Sequence, residues 1–216
     1  MKKLFFLMML LMLINCEKEG QIYDTIKKEE DVKKSDSLKS DSLKTETPLS
    51  KEETFKDLNR EVLQVLKVKQ YAQFANHIHP EKGVRFSMYA FVNPAKDKIF
   101  TKEDFLKYID SETKFTWGER DGTGEPLVLS INDYLQKWVF KKDFDTASEY
   151  YFNDFKASGN SLNNLKKLYP NANFTENFIA GTEENSGLDW ASLRLVFEES
   201  AGNNYLVAVI NDEWTI

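Results

Sequence analysis

The chain has 216 residues, a formal net charge of −6 and a single cysteine. Its acidic balance, without a concentrated stripe of Lys and Arg, argues against nucleic acid as a partner and against electrostatic docking on an anionic lipid leaflet. One cysteine cannot form an intramolecular disulfide, so the fold has to rely on an apolar core.

The start of the chain has the pattern of an export signal. Lys2 and Lys3 form a short positive head, and Leu4 to Ile14 is an unbroken apolar run of eleven residues. A helix that spans a bilayer needs about twenty apolar residues, so this run is too short. A positive head followed by a short apolar run predicts a secretion signal rather than a membrane span.

The end of this signal, Leu13-Ile14-Asn15-Cys16, resembles the lipobox of bacterial lipoproteins. Asn15 stands where that family usually has a small residue. The resemblance implies that residues 1–15 are a signal peptide and that the Cys16 thiol receives a diacylglycerol. Two or more acyl chains hold a protein stably on a membrane. Membrane lipid would then be a partner through the acylated Cys16, and the location would be the bacterial cell envelope, on its periplasmic or cell-surface side. The alternative is an uncleaved signal anchor with an incidental cysteine.

Residues 16–50 are predicted to be a polar tether. They are dense in Lys, Glu, Asp and Ser, and 35–39 and 40–44 repeat the pattern Ser-Asp-Ser-Leu-Lys. Such a segment cannot bury enough apolar surface to offset its ordering entropy, so we expect it to be a disordered linker.

Residues 51–216 are predicted to form a single domain that begins with helices. Ser50 and Glu53 have the spacing of a capping box, and apolar residues recur at helical spacing from Phe55 to Leu66. A second helix is predicted from Tyr71 until Pro80. The later predicted elements are a strand at 84–92, a helix after Thr101, an extended stretch at 115–117, a turn at 121–125, a helix after Ser130, an extended stretch at 150–152, a helix at 162–168, and strands at 174–180, 188–198 and 205–216.

This order predicts an α+β fold in which an N-terminal helical pair is followed by a bent antiparallel sheet. The pattern loosely resembles the NTF2-like superfamily, whose helical pair precedes a strongly bent sheet that forms a cone. That superfamily contains ligand binders, isomerases and modules without activity, so the resemblance implies a fold and no particular function.

Five residues are the predicted ligand contacts. Along two predicted strands apolar residues alternate with polar ones, and Arg85 and Arg194 stand at the polar positions. Trp190 shares the face of Arg194. If the sheet curls, that face lines a concavity in which arginine can bind a carboxylate through two hydrogen bonds. Tyr89 and Trp117 complete the set. The alternative is that each arginine lies at a sheet edge in a salt bridge with Glu or Asp, and that the tryptophans belong to the core.

The two histidines, His77 and His79, give a weaker signal. Zinc would need further ligands, and no spacing of Asp or Glu supplies them, so we expect no metal site. His79 is expected to bond the end of its helix or a neighbouring strand. An acid–base site could pair His79 with a carboxylate, and the candidate carboxylates are Asp189, Asp212 and Glu213. No phosphate-binding glycine loop is present, and we expect no cofactor.

Three functions follow from these patterns. The first is a lipid-anchored module that binds a small molecule or an envelope protein. The second is a small hydrolase or isomerase that uses His79 and a carboxylate. The third is a structural envelope protein that docks another protein on an exposed sheet face. The first two need a pocket, whereas the third needs a flat apolar patch.

Overall fold

The computed structural model describes residues 49–146, 148–157 and 159–216, and over these residues the chain has the predicted mixed α+β structure. The helices are α1 (Lys51–Lys67), α2 (Tyr71–Phe74), α3 (Lys102–Ile109), α4 (Ile131–Tyr134) and α5 (Leu165–Leu168). A 3₁₀ turn (Ala75–His77) continues α2, and a π-helical turn (Leu135–Val139) continues α4. The strands are β1 (Val84–Ser87), β2 (Lys98–Phe100), β3 (Phe115–Glu119), β4 (Pro126–Leu129), β5 (Glu149–Phe152), β6 (Asn173–Ile179), β7 (Ala191–Ser200) and β8 (Asn203–Glu213).

The main sheet has six strands in the order β2-β1-β8-β7-β6-β5. Every neighbouring pair is antiparallel except β1 and β8, which run parallel. The predicted meander at the end of the chain is confirmed, because β6, β7 and β8 pair consecutively. Ala201 and Gly202 connect β7 to β8 with φ values of 50° and 81°, which suits a two-residue hairpin turn. Strands β3 and β4 form a separate hairpin.

The first helix begins where its capping signal predicts. The Ser50 backbone N–H donates to Glu53 Oε2 at 2.9 Å, and the Glu53 backbone N–H donates to Ser50 Oγ at 3.2 Å. The two bonds satisfy backbone donors that the first turn of a helix leaves free. The apolar side of α1, including Phe55, Val62 and Leu66, is buried in the core.

Both faces of the main sheet are covered. Leu193 and Leu195 of β7 face the helices and the β3–β4 hairpin, in the larger apolar cluster. Val196 of β7 and Ile210 of β8 point to the other face, where they join a smaller cluster with Leu165 of α5. No broad apolar face of the sheet is therefore left free in the part of the chain described.

The strand predicted at 84–92 is shorter in the structure, because β1 ends at Ser87. The Ser87 hydroxyl donates to the carbonyl of Tyr89 at 2.9 Å and to that of Phe91 at 3.3 Å, which curls the chain into a bend. Trp138 Nε1 donates to the Met88 carbonyl at 3.2 Å and fixes the bend from the opposite side. This early end of β1 turns Tyr89 away from the sheet.

Other predicted boundaries differ by a few residues. The helix predicted at 162–168 is the single turn α5, and the last three strands each begin or end slightly away from their predicted limits. The predicted signal peptide, Cys16 and nearly all of the predicted linker lie outside the described residues. Among the helices of the described ranges, none has both the length and the apolar character that crossing a bilayer requires.

Candidate ligand pocket

A pocket of about 250 Å³ opens between the bend after β1 and strand β3. We call it the Trp117 pocket and define it by six of its lining residues, which are Tyr89, Lys96, Asp97, Trp117, Glu119 and Asp121. The bend supplies the first three, and the β3–β4 hairpin supplies the others. Ser161 and Thr215 close one side and are joined by a hydrogen bond of 3.0 Å between their hydroxyl oxygens.

Trp117 belongs to the lining of the pocket but is almost completely buried, with 1% of its surface exposed. Its ring stacks on Tyr134 with ring centroids 3.6 Å apart and planes within 3°. Phe86 packs edge-on against the same indole at 5.7 Å. The indole Nε1 donates to the Leu129 carbonyl at 3.0 Å, so its one polar atom is satisfied within the hairpin. The ring is thus held in place before any ligand arrives.

Tyr89 forms an aromatic wall of the pocket and is half-buried. Its hydroxyl accepts a hydrogen bond of 2.9 Å from the backbone N–H of Asp121, and its ring packs edge-on against Trp138 at 5.8 Å. Burial raises the pKa of Tyr89, so the hydroxyl keeps its proton at neutral pH. This contact joins the bend to the tip of the hairpin across the pocket.

Asp97 is the half-buried carboxylate of the pocket. Its Oδ2 accepts a hydrogen bond of 2.8 Å from the backbone N–H of Asn93. Burial raises the pKa of Asp97 to about 6, although the Asn93 hydrogen bond and the charge of Arg85 oppose that change. Within the residues that the structure describes, Asp97 forms no ion pair.

A second buried group near Asp97 lacks a partner. The Tyr134 ring stacks on Trp117, and its hydroxyl has no hydrogen-bond partner among the described residues. Burial raises the pKa of Tyr134 well above its ordinary value, and the charge of Asp97 adds to this effect. The hydroxyl therefore stays neutral.

The mouth of the pocket carries an excess of negative charge. Lys96 Nζ lies 3.3 Å from Glu119 Oε1, so these two exposed charges neutralise each other. Asp121 Oδ2 accepts a hydrogen bond of 2.7 Å from the backbone N–H of Ile216. The lysine of the lining is thus paired with Glu119, and neither Asp97 nor Asp121 forms an ion pair among the described residues.

The structure places only two of the five predicted ligand contacts in this pocket, namely Tyr89 and Trp117. Arg85 lies on β1 next to the pocket, where its Nε donates to the Tyr169 hydroxyl at 3.2 Å, and it is not part of the lining. Trp190 is half-buried and packs against Phe178, with ring centroids 6.1 Å apart. The five residues do not converge on one concave surface.

Arg194 is fully buried and offers no surface to a ligand. Its Nη2 lies 2.8 Å from Glu176 Oε1 and 2.8 Å from Asp212 Oδ2. Arg194 lies on the face of β7 opposite Leu193, the face on which Val196 joins the smaller apolar cluster. Trp190, which was predicted to share this face, precedes β7. That face is filled by the chain after β5, since Glu176 Oε2 accepts the backbone N–H of Lys156 at 2.5 Å. The arginine therefore forms the salt bridges of the alternative interpretation, but it does so on the inner strand β7 and not at a sheet edge.

The acid–base set around His79 is not assembled. His79 is buried, and its Nδ1 accepts the backbone N–H groups of Glu81 at 3.2 Å and Lys82 at 3.1 Å. Its own backbone N–H donates to Leu206 of β8, as expected for a structural histidine beside a strand. The candidate carboxylates have other partners, because Asp189 accepts from Thr182, Asp212 pairs with Arg194, and Glu213 pairs with Lys141.

Sequence reasoning missed Asp97. The only local signal was the turn at Asn93-Pro94, where an aspartate can accept a backbone N–H. Its place beside Trp117 depends on where β1 ends, which the alternation of residues 84–92 did not show. Among the described residues, no group of three or more His, Cys, Asp and Glu side chains could hold a metal ion.

The comparisons with known proteins give no relatives. No protein-family model matches this chain, and neither a curated protein nor a solved structure matches it.

Proposed function

We propose that residues 51–216 form a small-ligand binding module and that the Trp117 pocket is its binding site. The observation that carries this proposal is the pairing of the Tyr89 ring, which Trp138 and the Asp121 N–H hold in place, with a half-buried carboxylate that has no ion pair in the described chain. Pockets with apolar walls and a few fixed polar groups are the usual form of small-molecule sites.

The size of the pocket limits what it can hold. Sites for drug-sized molecules are typically about 300–1,000 Å³, and this one is about 250 Å³. The ligand is therefore a small molecule or the end group of a larger one. Such a terminal group could belong to an envelope protein or to a soluble metabolite.

The proposal includes an anchor at the start of the chain. Residues 1–15 would be removed, Cys16 would carry a diacylglycerol, and residues up to 50 would link the lipid to the binding domain. What supports this is the lipobox-like Leu13-Ile14-Asn15-Cys16 and the fact that Cys16 is the one cysteine of the sequence. Intact-mass analysis of the protein from a bacterial membrane tests it: a mass that starts at Cys16 and includes acyl chains is expected, and a chain that keeps Met1 overturns it.

We also propose that the fold is of the NTF2-like kind. Support comes from the helical start of the domain, the mostly antiparallel sheet and the register shift between Val196 and Phe197 of β7, which bends a strand. An experimental structure that showed a flat sheet would contradict this assignment.

The ligand-binding proposal is tested with the full chain and a fragment set of cationic, neutral and anionic compounds. Saturation-transfer NMR should detect at least one class, and Tyr89→Ala should abolish its signal because that change removes one wall of the pocket. Tyr151→Ala is the matched control, since Tyr151 is a half-buried tyrosine on β5 whose hydroxyl bonds Glu149. Binding that survives Tyr89→Ala, or no binding by any class, would overturn the proposal.

A further inference from the structure

We infer that the Trp117 pocket selects an organic cation, that is, a ligand with an ammonium group. This inference rests on the proposed function, because it names the ligand class of the same site. Its basis is the combination of unneutralised carboxylates, aromatic walls and a small cavity.

Two of the three carboxylates that line the pocket, Asp97 and Asp121, form no ion pair among the described residues. The third, Glu119, is neutralised by Lys96. Asp97 is half-buried, and removing a carboxylate from water is costly unless a positive charge accompanies it. A ligand ammonium at Asp97 would supply the missing charge and strengthen the pair, because water is partly excluded there.

The nearby arginines, Arg85 and Arg120, do not form an ion pair with Asp97. Arg85 donates to Tyr169 and is outside the lining, although its charge acts on Asp97 from β1. The guanidinium of Arg120, which follows β3, lies over the Trp138 ring, 5.8 Å from its centroid. The pocket lining therefore contains no guanidinium, and its lysine, Lys96, is paired with Glu119.

The walls favour the same class of ligand. Tyr89, which is half-buried, and Phe91, which is exposed, both line the cavity, whereas Trp117 in the same lining has only 1% of its surface exposed. Aromatic rings attract ammonium groups within about 6 Å of the ring centroid. A metal ion is a poorer fit, because the described residues offer no group of three or more ligating side chains. The pocket volume suits a compact ammonium head group rather than a long polyamine.

The charge of Asp97 gives the site a pH dependence. The groups that act on it are Arg85 and Ser87 from β1, Asn93 from its own bend, Tyr134 from α4 and Tyr169 after α5. The other titratable groups of the pocket lining are Tyr89, Lys96, Glu119 and Asp121. Burial raises the pKa of Asp97 to about 6, and a bound cation favours the ionised form. Affinity for a permanent cation should therefore be constant above about pH 7 and decrease as the pH falls through 6.

Choline and 3,3-dimethylbutan-1-ol test the inference, because the two have nearly the same shape and only choline is charged. Titrations of the full chain at neutral pH should show choline binding about tenfold tighter than the neutral alcohol. Asp97→Asn should remove most of this preference, since asparagine can still accept the Asn93 N–H but carries no charge. Asp57→Asn is the control, because Asp57 is an exposed aspartate on α1 that is paired with Arg60 outside the pocket.

A second variant protects the test against a folding defect. Glu119→Gln changes an exposed side chain of the hairpin and should weaken choline binding by a smaller factor than Asp97→Asn. A primary amine of similar size separates the effect of the Asp97 charge from that of hydrogen bonds to Asp97. The amine can donate such hydrogen bonds, whereas choline relies on charge and on the aromatic walls.

The possible results distinguish a failure of the inference from a failure of the binding function. Equal binding of choline and the alcohol, or choline binding that Asp97→Asn leaves unchanged, would overturn the inference and leave the binding function standing. Binding of anionic or neutral fragments alone at this pocket would do the same. If no fragment of any class binds, the binding function fails together with the inference.

Discussion

Arg194 of β7 and Glu176 of β6 form an ion pair of 2.8 Å in which neither side chain is exposed to solvent. Asp212 of β8 adds a second carboxylate at 2.8 Å, and burial raises its pKa against the opposing charge of Arg194. The guanidinium also lies over the Phe155 ring, 5.1 Å from its centroid. One arginine therefore ties three neighbouring strands to the chain that covers them.

Removing this arginine should be strongly destabilising. Arg194→Ala leaves two buried carboxylates without their cation, and we expect a loss of about 3–5 kcal/mol in the free energy of unfolding. Urea denaturation of the full chain measures it. Arg60→Ala, which breaks the exposed pair with Asp57, should cost no more than about 1 kcal/mol. Similar losses for the two variants would show that the buried cluster has no special role in stability.

A buried amide pair connects α1 to the sheet. Asn59 and Asn177 exchange two hydrogen bonds of 2.9 Å, and the Thr175 hydroxyl donates to Asn59 at 2.6 Å. Asn59→Ala leaves buried partners unsatisfied and should cost about 1–3 kcal/mol. In a double-mutant cycle with Asn177→Ala the two losses should not add, because each change breaks the same bonds. Additive losses would contradict the pairing.

Two glycines with similar backbone angles should respond differently to alanine. Gly83 has φ +67°, and a Cβ there would lie 2.5 Å from the Phe100 carbonyl oxygen, whereas Gly124 has φ +69° and open space around it. Gly124→Ala should lower the free energy of unfolding by about 1 kcal/mol, because alanine is strained in the left-handed conformation. Gly83→Ala should lower it clearly more, because strand β2 must also move. Thermal unfolding of both variants measures this difference. Equal melting temperatures would mean that the junction before β1 is not tightly packed.

The stability of the domain should depend on pH through Asp97. Burial raises its pKa from 3.8 to about 6 in the folded state, so the folded chain holds this proton more tightly than the unfolded chain. Stability attributable to Asp97 is therefore present below pH 3.8 and is lost as the pH rises through 6. As the pH rises from 3.8 through 6, the free energy of unfolding of Asp97→Asn should increase relative to that of the wild type, by on the order of 1 kcal/mol after solvent screening.

Urea denaturation of both proteins at several pH values between about 4 and 7.5 checks the sign of this effect. The difference between variant and wild type should grow with pH and level off above the pKa of Asp97. A difference that stayed constant across the range would show that Asp97 is not desolvated. Asp57→Asn controls for the loss of one exposed carboxylate.

Local signals in the sequence predicted much of the fold. The capping box at Ser50 and Glu53 fixed the start of α1, and the short connections before β7 and β8 indicated the meander. These features depend on residues within a few positions of each other, which is why a sequence shows them.

The site was less visible because it depends on distant contacts. The end of β1 is set partly by Trp138, which bonds Met88 across 50 positions of sequence, and this bend places Tyr89 and Asp97 beside Trp117. The alternation of β7 placed Arg194 on the correct face. It could not show that Glu176 binds the backbone N–H of Lys156 and so covers that face.

The measurement that tests the central claim most directly is the indole N–H signal of Trp117 in an NMR titration of the full chain. Trp117→Phe assigns the signal, and the indole of Trp190, which lies outside the pocket lining, serves as the reference. We predict that choline shifts the Trp117 signal in a saturable way, leaves that of Trp190 unchanged, and loses its effect in Asp97→Asn. A Trp117 signal that stays in place at saturating concentrations of cationic, neutral and anionic fragments would contradict the assignment of this pocket as the binding site.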